Sequence, residues 1–169
     1  MKKIWIFTTG GTIEKSYSED EGSLANRESV LKQKLLEKLR LPYTQVCINT
    51  ILAKDSLDMN DEDRQLIFQR IQQALNEADG IVVLHGTDTL DVTMRFCESR
   101  LPQPTKAIIF TGAMKPAGFD DSDAIQNFTE ALYAAQVADP GYYLSFHGQL
   151  FKGTHIQKNK QLRTFEYKK

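Results

Sequence analysis

Short apolar runs alternate with longer stretches of helical period along this chain. Lys3–Thr8 (KIWIFT) reads as a buried strand, and Gln45–Leu52 (QVCINTIL) as a second. Ile81–Leu84 (IVVL), Lys106–Thr111 (KAIIFT) and Tyr142–Phe146 give three more. Between them lie segments whose apolar residues recur every three or four positions. Glu28–Arg40 carries Leu31, Leu35 and Leu39 on one face. Asn60–Asp79 carries Ile67, Ile71, Leu75 and Ala78, with Asn60 as its cap and Asp61, Glu62 and Asp63 at its positive end. Gly80 then stops it. Leu90–Arg100, closed by "LPQP", and Asp123–Ala138 complete the set of helices.

Continuous apolar strands between amphipathic helices predict an α/β fold: an open, mainly parallel sheet covered by helices on both faces, of the Rossmann or flavodoxin-like kind. The chain has 169 residues, which suits a single domain with a sizeable core. No linker, repeat or low-complexity stretch interrupts it, and only Glu14–Asn26, rich in Ser, Glu, Asp and Gly, reads as mobile. The hydrophobic share of 41% and charged share of 25% are those of a soluble globular protein. A net charge of −1 gives no electrostatic case for nucleic acid or an anionic membrane surface. No signal peptide or transmembrane run is apparent. Cys47 and Cys97 form no metal or redox motif and are expected to be reduced and buried, in a cytoplasmic setting.

In open α/β sheets, ligands bind beyond the carboxyl ends of the strands. The segments after the five predicted strands are "TGGTI", "AKDSLDMND", "HGTDTLD", "TGAMKPAG" and "HGQLFKGTHIQKNK". These loops hold hydroxyls, charges and small residues that the strands lack. Thr12 and Thr87 stand at that edge, each near glycine. A threonine hydroxyl is a weak nucleophile and needs a base; Lys158, held neutral by burial beside an orienting carboxylate such as Asp88, is the candidate. Backbone N–H groups around Gly11 and Gly86 can serve an oxyanion.

Plainer readings compete with these. "TTGGTIEK" matches neither the dinucleotide nor the P-loop pattern. "HGTDT" also reads as a helix start, with Thr87 or Asp88 as cap. His85 with Asp88 and Asp91 would make a poor metal site, lacking a second histidine at ligand spacing. His147 and His155 read as structural, and the Lys152, Lys158, Lys160 and Arg163 cluster as a solvated face.

Taken together, "TTGGTI", "DSLDMND", "HGTDT" and "TGAMKP" resemble, in order and spacing, the bacterial-type L-asparaginases and glutaminase-asparaginases, over nearly the whole chain. The resemblance implies hydrolysis of asparagine to aspartate and ammonia, with threonine as nucleophile and no metal or organic cofactor. It makes Thr12 the nucleophile, Thr87 and Asp88 the second threonine and the substrate-binding aspartate, and Lys158 the partner of Thr87. It places Ser56 and Asp58 in the loop that grips the α-carboxylate, Ala113 where a backbone carbonyl touches the amide, and Tyr17 on a closing loop. Leu57 stands where many relatives carry glutamine. The chain stops at Lys169, before the family's C-terminal domain, so a stand-alone N-terminal-type catalytic domain is expected. Tyr17 also comes earlier in its loop than in most two-domain relatives.

The expected reaction is a two-step acyl transfer on L-asparagine, with L-glutamine or another amide as the alternative substrate. A homodimer or larger homo-oligomer would complete an otherwise exposed crevice. The competing class is an amino-acid-binding or regulatory module without catalysis, although a binder needs no paired threonines.

Overall fold

The structure, a computed structural model, describes residues 1–18, 23–26 and 35–169, with side chains for 1–15 and 35–169. Its centre is a six-stranded sheet built from β1 (Lys2–Gly10), β4 (Thr44–Lys54), β5 (Gly80–Leu84), β6 (Ala107–Thr111), β7 (Gly141–Phe146) and β8 (Gln149–Lys152). The strand order is β4-β1-β5-β6-β7-β8. All pairings are parallel except β7 with β8. Two small hairpins stand apart: β2 (Lys15–Ser18) with β3 (Ser23–Asn26), and β9 (Ile156–Asn159) with β10 (Thr164–Tyr167).

The apolar runs form the parallel strands because a strand buried on both faces needs apolar residues at every position. In β5 all five residues are buried, and in β6 likewise. Their side chains alternate between two cores. Ile81, Val83, Ile108 and Phe110 face helices α1 (Asp61–Ala74) and α2 (Leu90–Arg100), whose Ile67, Ile71 and Met94 are fully buried. Val82, Leu84 and Ile109 face α3 (Ala124–Val137), through Phe128, Ala131 and Leu132. Each large side chain so buried stabilises the fold by about 1.5–3 kcal/mol. The expected sheet with helices on both faces is therefore present.

Helix α1 begins as its sequence dictates. Asn60 accepts from the Asp63 amide at 3.0 Å, and Asp63 returns a bond to the Asn60 amide at 3.0 Å. It ends at Ala74, five residues before the predicted Asp79, because Asp79 bonds with β1 instead. The Asp79 amide donates to Lys3 O at 2.8 Å, and its carboxylate accepts from the Lys3 amide at 2.8 Å. Gly80 consequently opens β5 rather than closing the helix. Most of the helix predicted at Glu28–Arg40 lies outside the described residues, and the described part holds only a 3-10 turn at Leu36–Lys38. Strands β8 and β9 occupy a stretch expected to be loop, and β10 follows it. Cys97 is buried, and burial pushes its thiol up to about 12; Cys47 is only half-buried, and both are free. No helix among the described residues is long and apolar enough to cross a membrane.

Candidate active site

Parallel strands bring their carboxyl ends to one edge, and the strand order reverses direction between β1 and β5. That switch point is where open α/β sheets form their crevice. The loop after β1 holds Gly10, Gly11 and Thr12; the loop after β5 holds His85, Gly86 and Thr87. The two touch through glycine. Gly11 has φ 83°, and a Cβ there would stand 2.5 Å from Gly86 Cα. Gly86 in turn leans on the loop after β4, where a Cβ would meet Ser56 Oγ at 2.6 Å. Any side chain at either position would push the three loops apart.

Ser56 opens a 3-10 turn, Ser56–Asp58, whose preceding Asp55 accepts from the Leu57 amide at 3.2 Å. Asp55 also pairs with Lys15 at 2.9 Å, which holds its carboxyl below the usual range. Thr89 Oγ1 donates to Ser56 O at 2.7 Å, tying the turn to the start of α2. Ser56 Oγ itself is buried and has no hydrogen-bond partner among the described residues. A buried hydroxyl without a partner costs about 1–3 kcal/mol, and such a group calls for an occupant. Leu57 and Asp58 are exposed, and neither bonds to Thr87, Asp88 or Lys158.

Thr87 is buried, and its hydroxyl accepts from Lys158 Nζ at 2.7 Å. The same ammonium reaches Asp88 Oδ1 at 2.8 Å. The reading of Lys158 as part of a solvated face is thus corrected. Lys158 shares a face of β9 with Ile156, two residues earlier, and pairs across the hairpin with Phe165; Ile156 and Phe165 anchor that face in the core, Phe165 edge-on to Phe146 at 5.0 Å. That anchorage turns Lys158 inward. Asp88 faces it there as an ion pair at 2.8 Å. Helix α2 takes Thr89 as its N-cap residue, with no side-chain cap bond, so neither Thr87 nor Asp88 is spent on capping.

His85, two residues before Thr87, is completely buried. Its Nδ1 bonds Gly86 O at 2.8 Å and its Nε2 meets Thr93 Oγ1 at 2.8 Å. A carbonyl only accepts, so Nδ1 carries the proton and Nε2 accepts from Thr93. Burial pushes the imidazole down to about 4, so it stays neutral. Both nitrogens are used by the protein, and no metal-holding cluster of His, Cys, Asp and Glu occurs among the described residues.

Thr12 sits differently. It opens a 3-10 turn, Thr12–Glu14, and is half-buried, and its hydroxyl bonds to no other described residue. Beneath it, buried Glu14 accepts from the Gly10 amide, and Thr9 Oγ1 donates to Leu84 O at 2.8 Å. The structure joins Thr87, Asp88 and Lys158 directly, and brings the Thr12 loop to theirs through the Gly11–Gly86 contact. Tyr17 pairs with Leu24 across the β2–β3 hairpin by backbone, and its side chain lies outside the described residues.

Ala113 is buried in the loop after β6. Asn127, fully buried, donates to Gly112 O at 3.0 Å, while Asp123 accepts from the amides of Met114 and Lys115 at 3.0 Å each. Burial pushes the Asp123 carboxyl up, but these amides and His147 outweigh it and hold it below its ordinary range. Sequence reasoning missed Asn127 and Asp123; a polar residue on the apolar face of a helix was the available signal. An open cleft of ≈ 520 Å³ lies beside Asp88, lined also by Met114, Lys115, Lys158, Lys160 and Arg163.

Residues 3–168 match the sequence family described as "Asparaginase, N-terminal". The L-asparaginase of Thermococcus kodakarensis is 32% identical over 156 residues, covering 92% of this chain and 47% of that protein. L-asparaginase 1 of Escherichia coli K12 is 32% identical over 163 residues, covering 93% and 47%. Among solved structures, the thermostable T. kodakarensis enzyme superposes with a TM-score of 0.89 at 31% identity, covering 98% of this chain and 51% of the other. L-asparaginase I of Vibrio cholerae gives 0.86 at 30% identity, with 98% and 51% covered. The chain thus spans about half the length of the relatives it matches. With the four loop motifs, the sheet order and both comparisons agreeing, the chain belongs to the asparaginase family and corresponds to its N-terminal domain.

Proposed function

We propose that this chain carries the hydrolytic centre of an L-asparaginase, cleaving the side-chain amide of asparagine to aspartate and ammonia by way of a threonine ester. One observation supports this above the rest: Lys158 Nζ stands between Thr87 Oγ1 at 2.7 Å and Asp88 Oδ1 at 2.8 Å, at the sheet's switch point. A binding module gains nothing from an ammonium held on a buried alcohol, whereas a proton relay needs that contact.

Thr12 Oγ attacks the amide carbon, and the C–N bond breaks once the nitrogen is protonated. The proton lost by Thr12 leaves with ammonia. The Thr12 ester is then cleaved by water: its hydroxyl completes the aspartate carboxyl group, and its proton, relayed through Thr87, returns to Thr12 Oγ as the ester C–O bond breaks. Backbone amides beside Gly11 and Gly86 stabilise the oxyanion. Asp88 takes the substrate's α-ammonium, and Ser56 Oγ, buried without a partner, takes its α-carboxylate. The cations around the cleft favour that carboxylate electrostatically. Tyr17 closes toward Thr12, and Ala113 offers its carbonyl to the amide nitrogen. A second copy of the chain covers the open side.

Ammonia release from asparagine, measured beside glutamine, tests the reading. Asparagine turnover abolished in both Thr12→Ala and Thr87→Ala, with unchanged melting, supports it. Binding of asparagine without any ammonia release defeats it in favour of a sensing role.

A further inference from the structure

The β7–β8 turn consists of two residues, His147 and Gly148, with φ 49° and 79°. Two-residue hairpin turns with positive φ at both positions favour Asn-Gly or Asp-Gly. A histidine in that backbone carries strain of about 1–3 kcal/mol unless its surroundings fix it. Here they do. The His147 amide donates to Asn127 Oδ1 at 2.9 Å. Its Nε2 meets Asp123 Oδ2 at 2.8 Å, and its Nδ1 meets Thr164 Oγ1 at 3.1 Å.

The two ends of the ring lead to opposite walls of the cleft. Asp123 holds the amides of Met114 and Lys115, the loop that follows Ala113. Thr164 opens β10 and pairs with Asn159, next to Lys158 on β9. Asn127, bonded to the same turn, also grips Gly112 O at 3.0 Å. No other described side chain bonds both to Asp123 and to the β9–β10 hairpin. Turn chemistry alone would select asparagine, which is too short to span these two partners.

We propose that His147 is a positioning residue: a two-ended strut that sets the separation between the Ala113 loop and the Lys158 hairpin, and so the alignment of the amide-facing backbone with the Thr87–Lys158 pair. For catalysis this rests on the hydrolase reading above. Ser56 and Asp88 lie on loops the ring does not touch, and the ring reaches Asp88 through Lys158 alone, so the strut governs turnover more than substrate binding.

His147→Asn tests it, because asparagine suits the turn and keeps the backbone bond to Asn127. The expected result is a melting temperature equal to or above that of the wild type. Amide exchange should be about tenfold faster at Met114, Lys115 and the β9–β10 hairpin. For asparagine, kcat should fall about tenfold or more, with KM within about threefold. Unchanged exchange overturns the strut, and unchanged kcat with faster exchange overturns its role in positioning. Should His147→Asn melt early, Thr164→Val, which removes one tie only, decides: a matching fall in kcat supports the proposal, and wild-type kcat overturns it. Absence of wild-type ammonia release with the expected exchange pattern sinks the hydrolase reading and leaves the strut standing.

Discussion

Thr87 and Thr12 occupy equivalent places, each in a glycine-bearing loop after neighbouring parallel strands, yet their surroundings are opposite. Thr87 is buried, lies two residues after a histidine locked at both nitrogens, and has an ammonium on its oxygen. Thr12 is half-buried on a 3-10 turn, and its hydroxyl has no partner among the described residues. The contrast suits the division of labour proposed above. A group that relays protons gains from a fixed partner, while one that attacks must be free to approach and then carry an acyl group.

Removing either alcohol should have the largest effect. Thr12→Ala and Thr87→Ala are each expected to lower kcat for asparagine by about 10⁴-fold or more. Pre-steady-state measurement separates them. Thr87→Ala should still show slow ester formation if the deacylating proton passes through that side, whereas Thr12→Ala forms no ester. An ester on Thr87 in the Thr12→Ala variant would reverse the assignment. Lys158→Met probes the relay alone. A loss of about 10³-fold is expected, in the range of general acid–base catalysis, with Thr12's loop unaffected by amide exchange. Turnover within a factor of two of wild type would remove Lys158 from the mechanism.

Acid should act on the Thr87 loop through His85. His85 has its pKa lowered from 6.5 to about 4 in the fold, so the unfolded chain takes up a proton first as pH falls. Stability from this group is therefore full above about pH 6.5 and declines toward pH 4, by about 3 kcal/mol in total. Urea titrations across that range check it, and His85→Gln should flatten the dependence. The smallest effect belongs to Thr12's own support. Thr9→Val removes the 2.8 Å bond to Leu84 O and should cost about 1 kcal/mol, read as a lower urea midpoint at unchanged slope.

How far the sequence was readable differs along the chain for physical reasons. Strands such as IVVL and KAIIFT were legible because burial on both faces leaves an unbroken apolar run. The Asn60 cap was legible because its partner Asp63 is three residues away. By contrast, β8 to β10 are four residues each with a single buried position, so no apolar run or alternation marks them. The early end of α1 depends on Asp79 finding Lys3, 76 positions distant. Likewise Thr89, not Thr87 or Asp88, became the residue before α2, and Thr89's hydroxyl went to Ser56 O instead of the helix.

The amino-acid order alone determined which segments are buried, where the chain turns, and that hydroxyls, glycines and charges collect at the carboxyl ends of the strands. Those are consequences of local polarity and backbone freedom. Only the tertiary structure decided that Gly11 meets Gly86, that Lys158 turns inward to Thr87, and that His147 reaches both Asp123 and Thr164. Contacts between residues 17 to 75 positions apart carry no local signature, because they form only once the sheet has brought its loops to one edge.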